Sequence, residues 1–262
     1  MDTKEYANGL LLFNILDDSS FIGRITINNP KKRNALSQSM WFGISEIFND
    51  CMTIYKGIRV LIITGQGSIA FSSGADLSEK EPESSTNLNK DTVPKIREKI
   101  RQFPIPIIAQ IDGFCLGGGL ALAMCTDFRF ASVNASFSIP AVHLGIACPP
   151  DIVHRLVELV GESQAKMILY QGTRITGQQA FSIGLIQRLS ENSEQLAADV
   201  LATARTLASN APLSISAIKI MIEHRHDSDQ IAKAIEKCSN SNDSEEGRKA
   251  FQEKRAPHFR GC

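Results

Sequence analysis

Residues 113–126, GFCLGGGLALAMCT, constrain the fold more than any other part of the chain. They follow the apolar run 106–112, which predicts a buried strand. Three consecutive glycines, Gly117 to Gly119, then lead into a segment whose alanine and leucine content favours helix. Strand, tight turn and helix must therefore follow one another within a few residues. A backbone without Cβ atoms can take unusual dihedral angles and let a ligand approach closely, with free N–H groups of the first helical turn facing it. Such a turn suits an oxygen carrying negative charge. Tight strand–helix packing is the competing account of the same glycines.

A second turn of this kind occurs earlier. Residues 59–64 are continuously apolar, as a strand buried on both faces would be, and Ala70-Phe-Ser-Ser-Gly-Ala-Asp-Leu77 follows. Two strand ends, each with a small-residue turn, can bring two N–H donors to one carbonyl oxygen, the geometry of an oxyanion hole.

The rest of the first half is also strand-rich. Residues 10–16 and 22–27 predict a hairpin across Asp17-Asp-Ser-Ser20, and a basic loop, Asn29-Pro-Lys-Lys-Arg-Asn34, follows. Ser37 is placed to N-cap a helix with Met40, Ile44, Ile47, Phe48 and Cys51 on one face. Residues 79–93 read as a mobile surface loop, 96–103 as a helix stopped by Pro104 and Pro106, and 127–133 and 135–139 as strands. Beyond Pro149-Pro150 the pattern turns helical: 152–160, 163–170, 177–183, 193–208, 213–226, 231–239 and 245–255. Their amphipathic faces must bury against the core or another subunit.

Lysine plus arginine and aspartate plus glutamate balance at 28 each, so no global field attracts nucleic acid or an acidic membrane. No run is apolar for long enough to span a bilayer, and the N-terminus lacks the signature of a secretion signal; a cytoplasmic location is expected. Six cysteines are scattered without a C-x-x-C pair, which predicts reduced, mostly buried thiols rather than a zinc site. Gly117–Gly119 completes no G-x-G-x-x-G, and the P-loop, H-E-x-x-H and G-x-S-x-G motifs do not occur.

Taken together, these motifs resemble the crotonase (enoyl-CoA hydratase/isomerase) superfamily over nearly the whole chain. The matching stretches are Asn29-Pro-Lys-Lys-Arg-Asn-Ala-Leu36, Val60-Leu-Ile-Ile-Thr-Gly65, Ala70 to Leu77, the glycine turn, Met124-Cys-Thr-Asp127 and Glu246-Gly-Arg-Lys-Ala-Phe-Gln-Glu-Lys-Arg255. The resemblance implies an α/β, crotonase-like (ClpP/crotonase) spiral of ββα units, residues 1–200, with a helical C-terminal trimerisation region, residues 201–262. The assembly would be a homotrimer or hexamer. The backbone N–H groups of Ala75 and Gly118 would hold the thioester oxygen of an acyl-CoA, with Gly117 beside them. Lys32, Arg33, Asn34 and Ala35, with Ser73, Gly74 and Asp76, would line its adenine and phosphate end. Phe251 and Lys254 would reach the coenzyme A of a neighbouring site. Coenzyme A enters as part of the substrate, with no permanently bound cofactor and no metal, and neither nucleic acid nor membrane is a partner.

The chain departs from the family pattern where hydratases carry two glutamates. Those positions are Ala121 and Ala141 here, and a methyl group can neither activate water nor move a proton. The turn after the second position is altered to Ala147-Cys-Pro-Pro-Asp151. Asp151 is expected to N-cap the next helix; the resemblance implies that this helix start faces the acyl pocket, which makes Asp151 the best surviving carboxylate and the acid/base candidate there, with His143 and His154 the nearby histidines. Two classes of function follow. One is an acyl-CoA enzyme, such as a decarboxylase, hydrolase or divergent hydratase, using oxyanion stabilisation with a different acid/base set. The other is an acyl-CoA-binding subunit with little catalysis. A titratable group inside the acyl pocket favours the first, an all-apolar pocket the second.

Overall fold

The computed structural model describes residues 3–16, 21–78 and 92–262. Strands β1 (Lys4–Tyr6), β2 (Leu11–Ile15) and β3 (Ile22–Ile27) form an antiparallel meander in which Phe13 faces Ile25. The turn proposed at 17–20 lies outside the described residues. Helix α1 (Gln38–Thr53) starts as predicted: Ser37 Oγ accepts the Met40 N–H at 3.2 Å, and Met40, Ile44, Ile47, Phe48 and Cys51 are buried.

Three ββα units follow. They are β4 (Val60–Gly65), β5 (Ala70–Ser72) and α2 (Thr92–Arg101); β6 (Ile107–Ile111), β7 (Phe114–Leu116) and α3 (Gly118–Met124); and β8 (Phe128–Ser132), β9 (Ser136–Ser138) and α4 (Pro150–Gln171). The first strand of each unit joins one sheet and the second strand joins another. The chain then adds β10 (Ile175–Thr176), α5 (Gly177–Ser182), β11 (Arg188–Ser190), α6 (Ser193–Ser209), α7 (Pro212–Glu223), α8 (Ser228–Ser239) and α9 (Asn242–Glu253). The large sheet has the order β1-β2-β3-β4-β6-β8-β11, parallel from β3 onward, and the small one β10-β9-β7-β5. This is the spiral of ββα units expected from the sequence.

Period-2 alternation explains the two cores. Leu61 and Ile63 face the core that contains α1, α3 and the small sheet, whereas Val60 and Ile62 join Ile22, Ile108 and Phe130 beneath α6. Leu196, Val200, Ala204 and Ala208 of α6 complete that second core, so a boundary at residue 200 falls inside a helix packed on the sheet. The later helices are tied down by polar contacts. Lys219 Nζ donates to Asp127 at 2.8 Å, and Arg59 donates to the Ala208 carbonyl at 3.0 Å and the Phe259 carbonyl at 2.6 Å. Arg129 is buried and, among the described residues, meets no carboxylate. Its guanidinium donates to the carbonyls of Leu185 and Thr126, and burial lowers its pKa to about 10.

Several expectations need correction. Strands β1, β10 and β11 are additions to the sequence pattern, each only two or three residues long. The two helices expected over 152–160 and 163–170 are both present within α4, separated by non-helical backbone at Gly161 (φ 77°, ψ 161°). The loop expected over 79–93 ends by Thr92, where α2 begins; residues 79–91 are outside the described set. Cys51, Cys115 and Cys125 are buried, but Cys148 and Cys238 are half-buried and Cys262 is exposed. Among the described residues no helix is long and apolar enough to cross a membrane.

Candidate active site

Two turns leave the sheets side by side. The first follows β5, where Ser73, Gly74 and Asp76 donate their N–H groups to Arg33 O, Ser72 Oγ and Leu36 O, at 3.0, 3.2 and 3.0 Å. The Ala75 N–H between them takes none of these bonds, and Ala75 is exposed. The second turn follows β7. Gly117 has φ 48° and ψ −117°, a left-handed geometry that favours glycine, and it anchors the turn by donating to Ser138 O at 2.8 Å. Gly118 is the first residue of α3, where an N–H has no intrahelical acceptor.

The two turns touch. A Cβ placed on Gly118 would stand 3.3 Å from Ala75 N, and one placed on Gly74 would stand 3.6 Å from Gly118 N. Gly119 answers to packing, since a Cβ there would lie 2.6 Å from both Cβ and O of Ser72. Packing and an open donor pair therefore divide the triple glycine between them.

The basic loop is stitched to the first turn. Lys32 Nζ donates to Asp76 at 2.7 Å and to Ser78 Oγ at 2.6 Å, and Ser73 Oγ donates to Lys32 O at 3.2 Å. The Lys32 ammonium, with help from Ser78, holds the Asp76 carboxyl down to a pKa of about 2. Asn34 and Ala35, expected at the adenine and phosphate end, are buried. The Asn34 amide donates inward to Ala70 O at 2.7 Å and Gln66 O at 3.1 Å and accepts from Asn29 N, so it shapes the loop and does not face solvent. Arg33 sits in the left-handed region at φ 52°, with its guanidinium 5.8 Å from the Phe114 ring centroid.

Beside the second turn opens a cavity of about 510 Å³. Its floor is Ala121, Met124 and Cys125, from the α3 face that follows Gly118 by one turn. Burial pushes the Cys125 thiol up to about 12, which leaves it inert as a nucleophile. The walls are charged: Arg97 and Arg101 from α2, Asp151 and Arg155 with His154 and Glu158 from α4, and Glu223 from the end of α7.

Asp151 lines this cavity but does not cap its helix. Pro150 occupies the first helical position, where proline is favoured, so the cap falls on Pro149 and Asp151 lies inside the first turn. Its carboxylate accepts two bonds from the buried Arg97, Nε at 2.6 Å and Nη2 at 3.0 Å. Sequence reasoning did not find Arg97. Arg101 bridges Glu158 and Glu223 at 3.2 and 2.8 Å, and Arg155 reaches the Met124 carbonyl at 2.9 Å.

The remaining residues lie elsewhere. Ala141 is half-buried against the core in the short 3-10 turn Pro140–Leu144 and does not line this cavity. His143, exposed, donates from Nε2 to Gln171 O at 2.9 Å and pins that turn to the end of α4. Phe251 is 86% exposed on α9 and Lys254 caps that helix in the left-handed region; neither lines the cavity within one chain. Among the described residues no group of His, Cys, Asp and Glu is arranged to hold a metal ion.

Comparison with known proteins agrees with this architecture. The profile of the enoyl-CoA hydratase/isomerase family matches residues 17–262. A crotonyl-CoA hydratase of Syntrophomonas wolfei is 33% identical over 94% of this chain and 96% of its own length. A short-chain-enoyl-CoA hydratase of Clostridium acetobutylicum is 34% identical over 92% and 95%. Among solved structures, an enoyl-CoA hydratase from Bacillus anthracis superposes with a TM-score of 0.86 at 30% identity, covering 95% of this chain and 99% of that one. By sequence and by fold, the chain belongs to the enoyl-CoA hydratase/isomerase family.

Proposed function

We propose that this protein is an enzyme acting on acyl-CoA thioesters, which holds the thioester oxygen between the N–H groups of Ala75 and Gly118 and stabilises an enolate there. The observation that carries this reading is the convergence of the two turns, with a Gly118 Cβ position only 3.3 Å from Ala75 N. Each donor in such a hole is worth about 3–4 kcal/mol of barrier. The loop bearing Lys32 and Arg33, locked to the Ser73–Asp76 turn, supplies the surface for the adenine and phosphate end. Coenzyme A takes part as substrate.

Charged groups in the cavity beside Ala121 favour an enzyme over a purely binding subunit. A titratable group within reach of the acyl chain is what acid/base chemistry requires and what a purely binding pocket does not. Ala121 stands where a hydratase glutamate belongs, so ordinary hydration of enoyl-CoA is slow in this reading. Asp151 is then the acid/base group with access to the acyl chain, and Arg97 orients it. Calorimetry with a panel of acyl-CoA esters, followed by product analysis of each binder, tests the proposal. No binding of any ester or of free CoA at millimolar concentration would overturn it.

The reading extends to assembly and location. Val142 and Leu144 on the 3-10 turn, Ile146 just after it, and Met167 and Tyr170 on α4 are large apolar side chains left exposed, and the turn and α4 contact each other. With the helices after residue 200 they would form contacts of a homotrimer or hexamer in the cytoplasm, with Phe251 and Lys254 approaching a neighbouring site. Sedimentation equilibrium is expected to give at least three times the chain mass of 28.7 kDa; a monomer at micromolar concentration would contradict it.

A further inference from the structure

A second cavity, of about 560 Å³, lies where β3 and β4 begin, α6 ends and the C-terminal tail returns to the sheet. The turn bearing Ala75 lies beyond the opposite end of β4. With six residues in that strand, the two places are separated by roughly 20 Å. The cavity is thus distinct from the site described above.

Among the described residues its lining carries Arg59, Arg205, His258 and Arg260 and no carboxylate. In a chain balanced at 28 basic and 28 acidic residues this is a local departure. Asp243 and Glu246 stand behind the tail, accepting the backbone N–H groups of Arg260 at 2.6 Å and His258 at 2.9 Å. Arg59 has a structural part: it stacks 3.9 Å from the Phe21 ring centroid and donates to Ala208 O and Phe259 O. In doing so it covers the carbonyl end of α6, which would otherwise repel an anion, and fixes the tail that carries His258 and Arg260. Arg205 and Arg260 are exposed, and neither guanidinium meets a carboxylate among the described residues. Arg255 nearby shows the contrast, with Glu246 bonded to its guanidinium at 2.6 and 2.9 Å.

We propose that this cavity binds a small molecule bearing a phosphate or diphosphate group, held by Arg205, Arg260 and His258, with its apolar part against Phe21 and Phe259. Guanidinium forks match phosphate oxygens two at a time, and several cations facing one space suit a group carrying about two charges. The volume falls within the range of about 300–1,000 Å³ usual for small-molecule sites, which is more than a lone inorganic ion fills.

The test is calorimetric titration of the full-length protein with inorganic phosphate, pyrophosphate and ADP. Saturable binding of pyrophosphate or ADP is expected, weakened at least tenfold (about 1.4 kcal/mol) by the Arg205→Gln/Arg260→Gln double variant. Binding of an acyl-CoA is expected to stay unchanged in that variant. ADP binding more tightly than pyrophosphate identifies an organic phosphate, and equal binding a free one. Polyphosphates also meet the Lys32 loop, so Lys32→Gln is the control. Loss with Lys32→Gln and full retention in the double variant would overturn the proposal, as would no binding of any of the three probes at millimolar concentration. If the double variant instead changes the sedimentation mass and no probe binds the parent, the cluster is a subunit contact and the proposal falls. Should the double variant fold poorly, Arg205→Gln alone, exposed on α6, serves the same comparison.

Discussion

Replacing Gly118 with alanine leaves both candidate donors in place and changes only the space between them. The added Cβ would stand 3.3 Å from Ala75 N and 3.6 Å from the Gly74 carbonyl carbon. An oxygen bound in such a hole sits about 2.7–3.1 Å from each donor, so methyl and oxygen compete for one volume. The backbone tolerates the change, because residue 118 is helical and has no left-handed φ, and alanine improves helix propensity by about 1 kcal/mol. Two hydrogen bonds to the thioester oxygen are worth about 1–3 kcal/mol together, which corresponds to a preference for acyl-CoA over free CoA of about 5- to 150-fold. Calorimetry on a short acyl-CoA and on CoA should find that preference in the parent and its loss in Gly118→Ala, with the melting temperature held. Gly118→Pro should have the same effect by another route, since proline is accepted at the first helical position and lacks the N–H. An undiminished preference in either folded variant would refute the oxyanion assignment.

Lys32→Met should raise the NMR titration midpoint of Asp76 from about 2 toward the ordinary carboxylate range. A depressed native pKa stabilises the loop–turn link above the unfolded value of about 4 and loses that contribution as pH falls through about 2; an unmoved midpoint would contradict the Lys32 assignment. Lys219→Met should lower unfolding free energy by about 3 kcal/mol, because it leaves a half-buried Asp127 carboxylate with the Ile107 N–H but no cation; chemical denaturation showing less than about 1 kcal/mol would mean that solvent already screens the pair. The parent should hydrate a short trans-2-enoyl-CoA slowly, and Ala121→Glu/Ala141→Glu should raise the rate, since one positioned acid or base contributes about two to four orders of magnitude. Hydration by the unmodified chain at the speed of a two-glutamate relative would show that another group activates water.

Features written in short stretches of sequence were legible. Ser37 caps α1, the 59–64 run becomes a strand buried on both faces, and a glycine-bearing turn follows β5 and β7 alike, because each follows from neighbouring residues and one periodicity. What escaped depends on partners far apart in the chain. Lys32 and Asp76 are separated by 44 residues, and Arg97 and Asp151 by 54. Nothing on an amphipathic helix such as α2 distinguishes an arginine turned inward from a solvated one. β1, β10 and β11 have three, two and three residues, too few for alternation to register. The cap assigned to Asp151 moved because Pro150 already fills the first helical position.

The Arg97–Asp151 pair bears directly on the chemistry available in the cavity. A carboxylate acting on substrate must present an oxygen to the acyl carbon or to a water beside it, whereas both Asp151 oxygens here accept from one guanidinium. Arg97 is buried with 8% of its side chain exposed, while Asp151 is 39% exposed, so the arginine fixes the carboxylate from beneath and leaves its outer edge toward the cavity. That arrangement orients Asp151 well but commits both of its oxygens to the guanidinium. A reaction that reaches the enolate by losing a group other than a proton asks less of it, because the two candidate donors would then carry most of the stabilisation. Arg97→Gln separates the alternatives. If Asp151 acts on substrate, freeing it from the guanidinium should change kcat; if Asp151 serves only to neutralise buried Arg97, stability should change while kcat holds. Unchanged kcat together with unchanged stability would remove the pair from the mechanism and from the fold alike.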